Sequence, residues 1–282
     1  MAMQARMLPD GRRLHLNHGP IDLVIEAHGE PDAVRTSYAA ATQRFATVLN
    51  ELVGELPLLR REILQHGLPL IGSIARSMAD AVQPHWQSRI TPMAAVAGAV
   101  ADHMLACMVE AAPLTRAYVN NGGDIALHLS EGESFTIASA AGAIVVNSAD
   151  DVGGIATSGW RGRSFSLGIA DSVTVLARTA AQADACATLI ANAVDLPGSE
   201  KVKRQRACDI APDSDLRERL VTVAVEGLNE HDVATALGEG LHLANAFAVQ
   251  GYIRTASLML NASIVTTSHA MPTPRLKERS YA

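Results

Sequence analysis

Three short segments carry residue types that could do chemistry. The first, Asn120-Asn121-Gly122-Gly123-Asp124, sits between two alternating stretches. An Asn-Gly pair in that setting is a strong hairpin signal. The same glycines would let a backbone lie against a phosphate or a ring, with Asp124 offering a hard oxygen at the turn. The second, Thr157-Ser158-Gly159, lies in a glycine-rich stretch from Gly153 to Gly168 that also holds Arg161 and Arg163. Hydroxyls, N–H groups and guanidinium groups together make an anion cradle; the competing reading is a surface loop. The stretch lacks a Gly-Lys-Ser/Thr, and its glycine spacing is not that of a dinucleotide fingerprint. In the third, Asp184 and Thr188 stand four residues apart, which on a helix puts both on one face. So sparse a set of oxygens suits Mg²⁺, an ion that keeps waters and borrows phosphate oxygens from its ligand. The alternative is an exposed acid beside a threonine bonded back to its own helix.

The elements that must hold these segments can be read from periodicity. Residues 12–28 alternate, with Ile21, Leu23 and Ile25 on one face, and predict an opening strand pair. From Asp32 to Leu56, Val34, Tyr38, Ala41, Phe45, Val48 and Leu52 fall at helical steps, and Pro57 is expected to stop the helix. A second helix is expected over Ile71–Val82. Thr91-Pro92 reads as N-cap and first residue of a third helix, whose body from Met93 to Asp102 is almost all small residues. Such a surface packs tightly against a sheet or floors a ligand cleft. Strands are expected at Leu114–Val119, Ile125–Leu129, Phe135–Ala138, Ala143–Val146, Asp171–Leu176, Leu220–Val225, Ile253–Leu260 and Ser263–Thr267. Helices are expected from Thr179 to Val194 and over Asp232–Val249. The basic run Lys201–Arg206 reads as a solvated turn or a phosphate grip. No repeat or low-complexity linker divides the chain, so one α+β domain is expected over residues 1–282.

Composition narrows the function. The chain has 282 residues, 48% hydrophobic and 18% charged, which suits a folded core rather than disorder. A formal net charge of −6 argues against a general grip on nucleic acid. The three cysteines, Cys107, Cys186 and Cys208, show no Cys-x-x-Cys spacing, so neither a disulfide framework nor a thiolate zinc site is expected. The ten histidines form no His-x-x-x-His pair, and there is no Gly-x-Ser-x-Gly elbow. With no apolar leader and a longest apolar run of Met93–Ala101, too short to cross a bilayer, a cytoplasmic protein without a membrane partner is expected.

Taken in order, Asn-x-Gly-Gly-Asp at 120–124, Thr-Ser-Gly at 157–159, Asp-Ser-Val-Thr-Val at 171–175 and Ala-Asp-x-x-Ala-Thr at 183–188 resemble the ApbE-like superfamily. Its best-known members are magnesium-dependent flavin transferases, which split FAD and attach FMN to a threonine of a partner protein. The wider run, from Leu-x-His-Gly-Pro-Ile-Asp-Leu at 16–23 through Thr-Pro-Met-Ala-Ala-Val-Ala-Gly at 91–98, resembles more closely the uncharacterised cytoplasmic branch of that superfamily. The resemblance covers nearly the whole chain. It implies an α+β, T-fold-related fold, an antiparallel sheet packed with helices. It implies that Asp184 and Thr188 hold Mg²⁺. It also implies that Ala97-Gly98, Asn120, Gly122, Gly123, Asp124, Thr157, Ser158 and Gly159 line a flavin-nucleotide cleft, with FAD or FMN as ligand. The transferases carry Lys-Gly where this chain has Ala97-Gly98, and a His-Ile-Ile-Asp-Pro stretch that has no counterpart in Ser164–Ala170. Metal and ligand binding therefore carry over better than the transfer reaction.

Three functions compete on these grounds. One is Mg²⁺-assisted phosphoryl or pyrophosphate chemistry on a flavin or other nucleotide, with Asp171 the candidate general base by position. Another is a module that binds a nucleotide or pterin without breaking it. The third is an assembly role on a vestigial site. Exposed sheet edges make a symmetric homodimer an expectation.

Overall fold

The computed structural model describes residues 2–139 and 142–268. The strands are β1 (Gln4–Met7), β2 (Leu14–His18), β3 (Ile21–His28), β4 (Arg116–Asn121), β5 (Asp124–Leu129), β6 (Ser134–Ser139), β7 (Gly142–Asn147), β8 (Gly154–Ser158), β9 (Ser172–Ala177), β10 (Val202–Arg206), β11 (Leu220–Val225), β12 (Thr255–Leu260) and β13 (Ser263–Thr266). Nine of them form one antiparallel sheet in the order β1-β2-β3-β4-β5-β8-β9-β12-β13, while β6–β7 and β10–β11 are separate hairpins. The helices are α1 (Pro31–Leu59), α2 (Ser73–Val82), α3 (Val96–Ala111), α4 (Ala180–Ala193), the short α5 (Ala207–Ile210) and α6 (Glu230–Val249). This is the expected α+β class with helices packed on an antiparallel sheet.

Sequence pattern accounts for the packing. In β2 and β3 every second side chain is buried, and Leu14, Leu16, Ile21, Leu23 and Ile25 all face inward. Helix α1 buries Ala41, Phe45, Val48 and Leu52 at steps of three and four residues. Burying each of the larger side chains is worth about 1.5–3 kcal/mol. Val119, Val173 and Val175 from the sheet join Phe45, Met104 and Ile190 from the helices in the main core. A smaller cluster of Leu127, Val146, Ile155 and Leu176 lies beneath the β6–β7 hairpin.

Four local expectations are corrected. Pro57 lies inside α1, which runs on to Leu59; a proline so near the end interrupts little of the remaining ladder. Thr91 makes no side-chain cap; the segment Pro92–Ala95 starts as a 3₁₀ turn, and the Thr91 hydroxyl donates to Asp215 Oδ2 at 2.5 Å instead. Thr157 and Ser158 end an interior strand of the sheet, β8, rather than lying in a surface loop. The basic run is strand β10, paired with β11, and Lys201, Arg204 and Arg206 are held by Asp232, Asp195 and Asp209.

The apolar run, read as ending at Asp102, is also longer in the structure. The helical segment Pro92–Ala111 has 20 residues and is long and apolar enough, by length and composition, to cross a bilayer. It continues through Asp102 and His103 because both polar side chains have partners. Asp102 accepts two backbone N–H groups, and His103 Nε2 accepts from Arg44 Nε at 2.7 Å. Half of the segment's apolar window is buried inside the fold.

Candidate functional site

The site is built where α3 crosses the start of α4. Gly98 makes the crossing possible: a Cβ there would stand 2.2 Å from the Ala180 carbonyl oxygen. Asp102, one turn further along α3, accepts the N–H groups of Ala180 and Ala181 at 2.9 Å each and so caps α4 from another helix. Thr179, the expected cap, also serves, accepting from the Gln182 N–H at 3.2 Å. Asp184 reaches back the other way. Its Oδ2 accepts the Gly98 N–H at 3.1 Å.

The β4–β5 hairpin brings the second piece. Asn121 and Asp124 face each other across Gly122-Gly123, both at positive φ, 68° and 118°, as a two-residue turn demands. Asn121 Nδ2 donates to the Ala97 carbonyl at 3.1 Å, tying the hairpin to the helix. Asp124 Oδ1 accepts the Thr157 N–H at 3.3 Å, tying it to β8. Arg163, from the loop after β8, lies over the turn, with Nη1 2.9 Å from where a Gly122 Cβ would be.

Together these elements enclose a cleft of about 330 Å³ lined by Ala97, Asp124, Ser158, Arg163, Asp184 and Thr188, among others. A second chamber of about 430 Å³ shares Met93, Val96, Ala97, Asp124, Arg163 and Ser164 with it and extends along Leu49, Leu52, Val53 and Leu56 of α1. One end of the cavity is thus polar and ionisable, and the other aliphatic, within the size range of small-molecule sites.

The electrostatics are unusual for two carboxylates. Burial pushes the Asp184 carboxyl well above the usual range, and the neighbouring Asp124 charge pushes it further; the Gly98 and Ala97 N–H groups oppose this. Burial likewise raises Asp124, opposed by the Thr157 N–H. Neither is in an ion pair among the described residues. Raised acids like these favour the protonated form, and a cation bound between them would displace the proton to water.

The site residues expected from sequence separate into two groups. Ala97, Asp124, Ser158, Asp184 and Thr188 line the cleft, and Gly122 lines its aliphatic chamber. Gly98 contributes its N–H to Asp184 and its missing side chain to the helix crossing. The rest act structurally. Asn120 Oδ1 accepts the Gly123 N–H and closes the turn. The Thr157 hydroxyl pairs with that of Thr174 at 3.0 Å. Gly159 allows backbone contact, since a Cβ there would lie 2.4 Å from the Asp171 carbonyl. Asp171 itself is corrected. It lines a different depression with Arg161, Gly227 and Asn261, where its carboxylate is held by Arg161 at 3.0 Å and by the Asn261 N–H at 2.7 Å. Of the two loop arginines, only Arg163 reaches the cleft.

Two further residues, Asn121 and Asp102, shape the site. Asn121 is next to Asn120, and strand alternation, which puts neighbours on opposite faces, is the sequence signal that separates them. No sequence signal connects Asp102 with an N-terminus 78 residues away.

An α+β protein with a carboxylate-bearing cleft between a helix pair and a sheet hairpin is the class these features define. The chain belongs to the family described as AbpE bacteria, which matches residues 5–268. It is 37% identical over 164 residues to a UPF0280 protein of Methanothrix thermoacetophila, covering 55% of this chain and 67% of that one. A UPF0280 protein of Archaeoglobus fulgidus is 33% identical over 155 residues, covering 55% and 65%. The match thus spans about two thirds of those relatives' length. Among solved structures, the apo flavinyl transferase ApbE of Pseudomonas stutzeri is similar with a TM-score of 0.46 and 11% identity, over 95% of this chain and 97% of that one. A mutant of the flavin transferase ApbE from Vibrio cholerae is similar with a TM-score of 0.48, at the same identity and coverage.

Proposed function

We propose that the cleft binds a phosphate-bearing flavin or another nucleotide together with Mg²⁺. The observation that supports this most is convergence. Asp124, Ser158, Arg163, Asp184 and Thr188 come from three separate stretches of chain and line one cavity. The donor set fits a hard cation: it is all oxygen, and two of the donors are carboxylates whose pKa values are raised, Asp124 and Asp184 by burial and Asp184 also by the charge of Asp124. Asp184 and Thr188, with Asp124 across from them, would hold the ion. Bound there, Mg²⁺ would neutralise charge on a ligand's phosphates. The chain's own groups do the rest. Arg163 offers a forked donor to a phosphate, Asn121 fixes the Ala97 peptide at the cleft floor, and the aliphatic chamber takes the apolar part of the ligand.

In this reading, Mg²⁺-dependent cleavage of a pyrophosphate is the enzymatic function, and flavin is the ligand to test first. The position of Asp171 outside the cleft favours a second reading, binding of a nucleotide or pterin without cleavage. A titration of FAD, FMN, ADP, a pterin and pyrophosphate, with and without Mg²⁺, tests both. Ligand affinity that rises with Mg²⁺ in the parent and not in Asp184→Ala supports the cleft assignment; equal affinity in both proteins overturns it. Release of FMN and AMP from FAD separates the enzyme from the binding module.

A further inference from the structure

Beside the cleft lies a larger depression of about 1000 Å³. The two share Thr91, Asp215, Leu216 and Arg219. Five arginines line the depression, Arg60, Arg61, Arg89, Arg217 and Arg219, against three carboxylates, Glu62, Asp215 and Glu218. In a chain whose formal net charge is −6, this is a local reversal of sign. The arginines come from three places: the end of α1, the turn before Ile90, and the loop leading into β11.

The carboxylates answer only part of this charge. Glu62 pairs with Arg89 at 3.1 Å. Asp215 is engaged by the Thr91 hydroxyl at 2.5 Å. Arg219 Nη1 donates to the Arg89 carbonyl and so links two of the walls. Among the described residues, Arg89 is the one arginine of the five in an ion pair. Arg61 and Arg217 are exposed on the rim and Arg60 is half-buried, so their guanidinium forks are open to an incoming anion.

We propose that this groove is an anion subsite of its own, binding an oligophosphate, inorganic or carried on a nucleotide, through Arg60, Arg61 and Arg217. Guanidinium forks match phosphate oxygens two at a time. Several forks around one concavity call for several negative charges close together. Phosphates joined through single oxygens deliver that. Side chains on one side of an extended acidic peptide lie about 7 Å apart and would need a longer track. The proposal does not depend on a cation in the carboxylate cleft.

The test is calorimetric titration of the full chain with inorganic tripolyphosphate, in EDTA and at low and moderate salt. The parent should bind, more weakly as salt rises. Arg61→Ala with Arg217→Ala should lose at least tenfold in affinity, and Arg61→Lys with Arg217→Lys should lose less. Both arginines are exposed, so the thermal midpoint should hold; Arg60→Gln gives an independent loss. Asp184→Ala should bind tripolyphosphate like the parent, which separates this proposal from the cleft reading. An ADP arm distinguishes the nucleotide source from the inorganic one. No binding by the parent, undiminished binding by both the double alanine variant and Arg60→Gln, or equal competition by polyglutamate would each overturn the proposal.

Discussion

Two aspartates hold the contact between α3 and α4, one from each helix, and their surroundings differ. Asp102 gives each oxygen one backbone N–H, both from the first turn of α4. The helix terminus supplies partial positive charge as well. Burial still raises its carboxyl to about 6, with the two N–H groups opposing the shift. Asp184 likewise meets N–H groups in the first turn of α3, those of Gly98 and Ala97, but two carboxylates, Asp124 and Asp102, press on it as like charges. One acid is satisfied by the fold. The other keeps an unmet demand for positive charge. Removal from water alone does not tell a structural acid from a site acid; the donors that replace the water do.

The largest effect expected from breaking this contrast is in Asp102→Ala. It strands two N–H groups in a helix contact and should cost about 2–4 kcal/mol, read from urea denaturation. A melt like the parent's would mean water replaces the carboxylate freely. Asp184→Ala should lower stability by less than Asp102→Ala, since the like-charge repulsion from Asp124 and Asp102 is relieved as the hydrogen bonds are lost. Its effect should instead appear as loss of Mg²⁺-dependent ligand stabilisation in thermal shift.

The pH dependence sharpens the same contrast. Asp102, Asp124 and Asp184 all have folded-state pKa values raised above the ordinary carboxylate value. The folded protein therefore binds more protons than the unfolded chain. Stability from these groups is full below about pH 4 and is lost as pH rises through the raised values, through about 6 for Asp102. Asp184→Asn should flatten this decline, and so should Mg²⁺ if the cleft holds it; urea midpoints at a series of pH values would show either. The smallest effect is expected at Asp171→Asn, within about 0.5 kcal/mol and without change in cleft ligand affinity, because its partner Arg161 is exposed. A lost affinity there would return Asp171 to the site.

Strand and helix positions were legible wherever alternation or helical spacing was strong, as in β3, α1 and the Asn-Gly hairpin. These are local consequences of which face meets the core. The candidate site was legible as types and spacing: Asp184 with Thr188 on one helix face, and Asp124 at a turn. The basic run misled because a strand rich in Lys and Arg, paired with β11 and answered by acids, has the same local composition as a solvated turn.

By itself, then, the sequence determined the mix of strands and helices of an α+β chain, the tight hairpin at Gly122-Gly123, and the small-residue surface that lets α3 approach α4. Each follows from backbone and side-chain preferences within a few residues. Only the tertiary structure decided which acids are site acids. It placed Asp184 beside the like charge of Asp124, kept Asp102 on the first turn of α4, and turned Asp171 to Arg161 in another depression. The physical reason is that a carboxylate's chemistry is set by the charges and donors around it, and here those come from residues as far as 90 positions away.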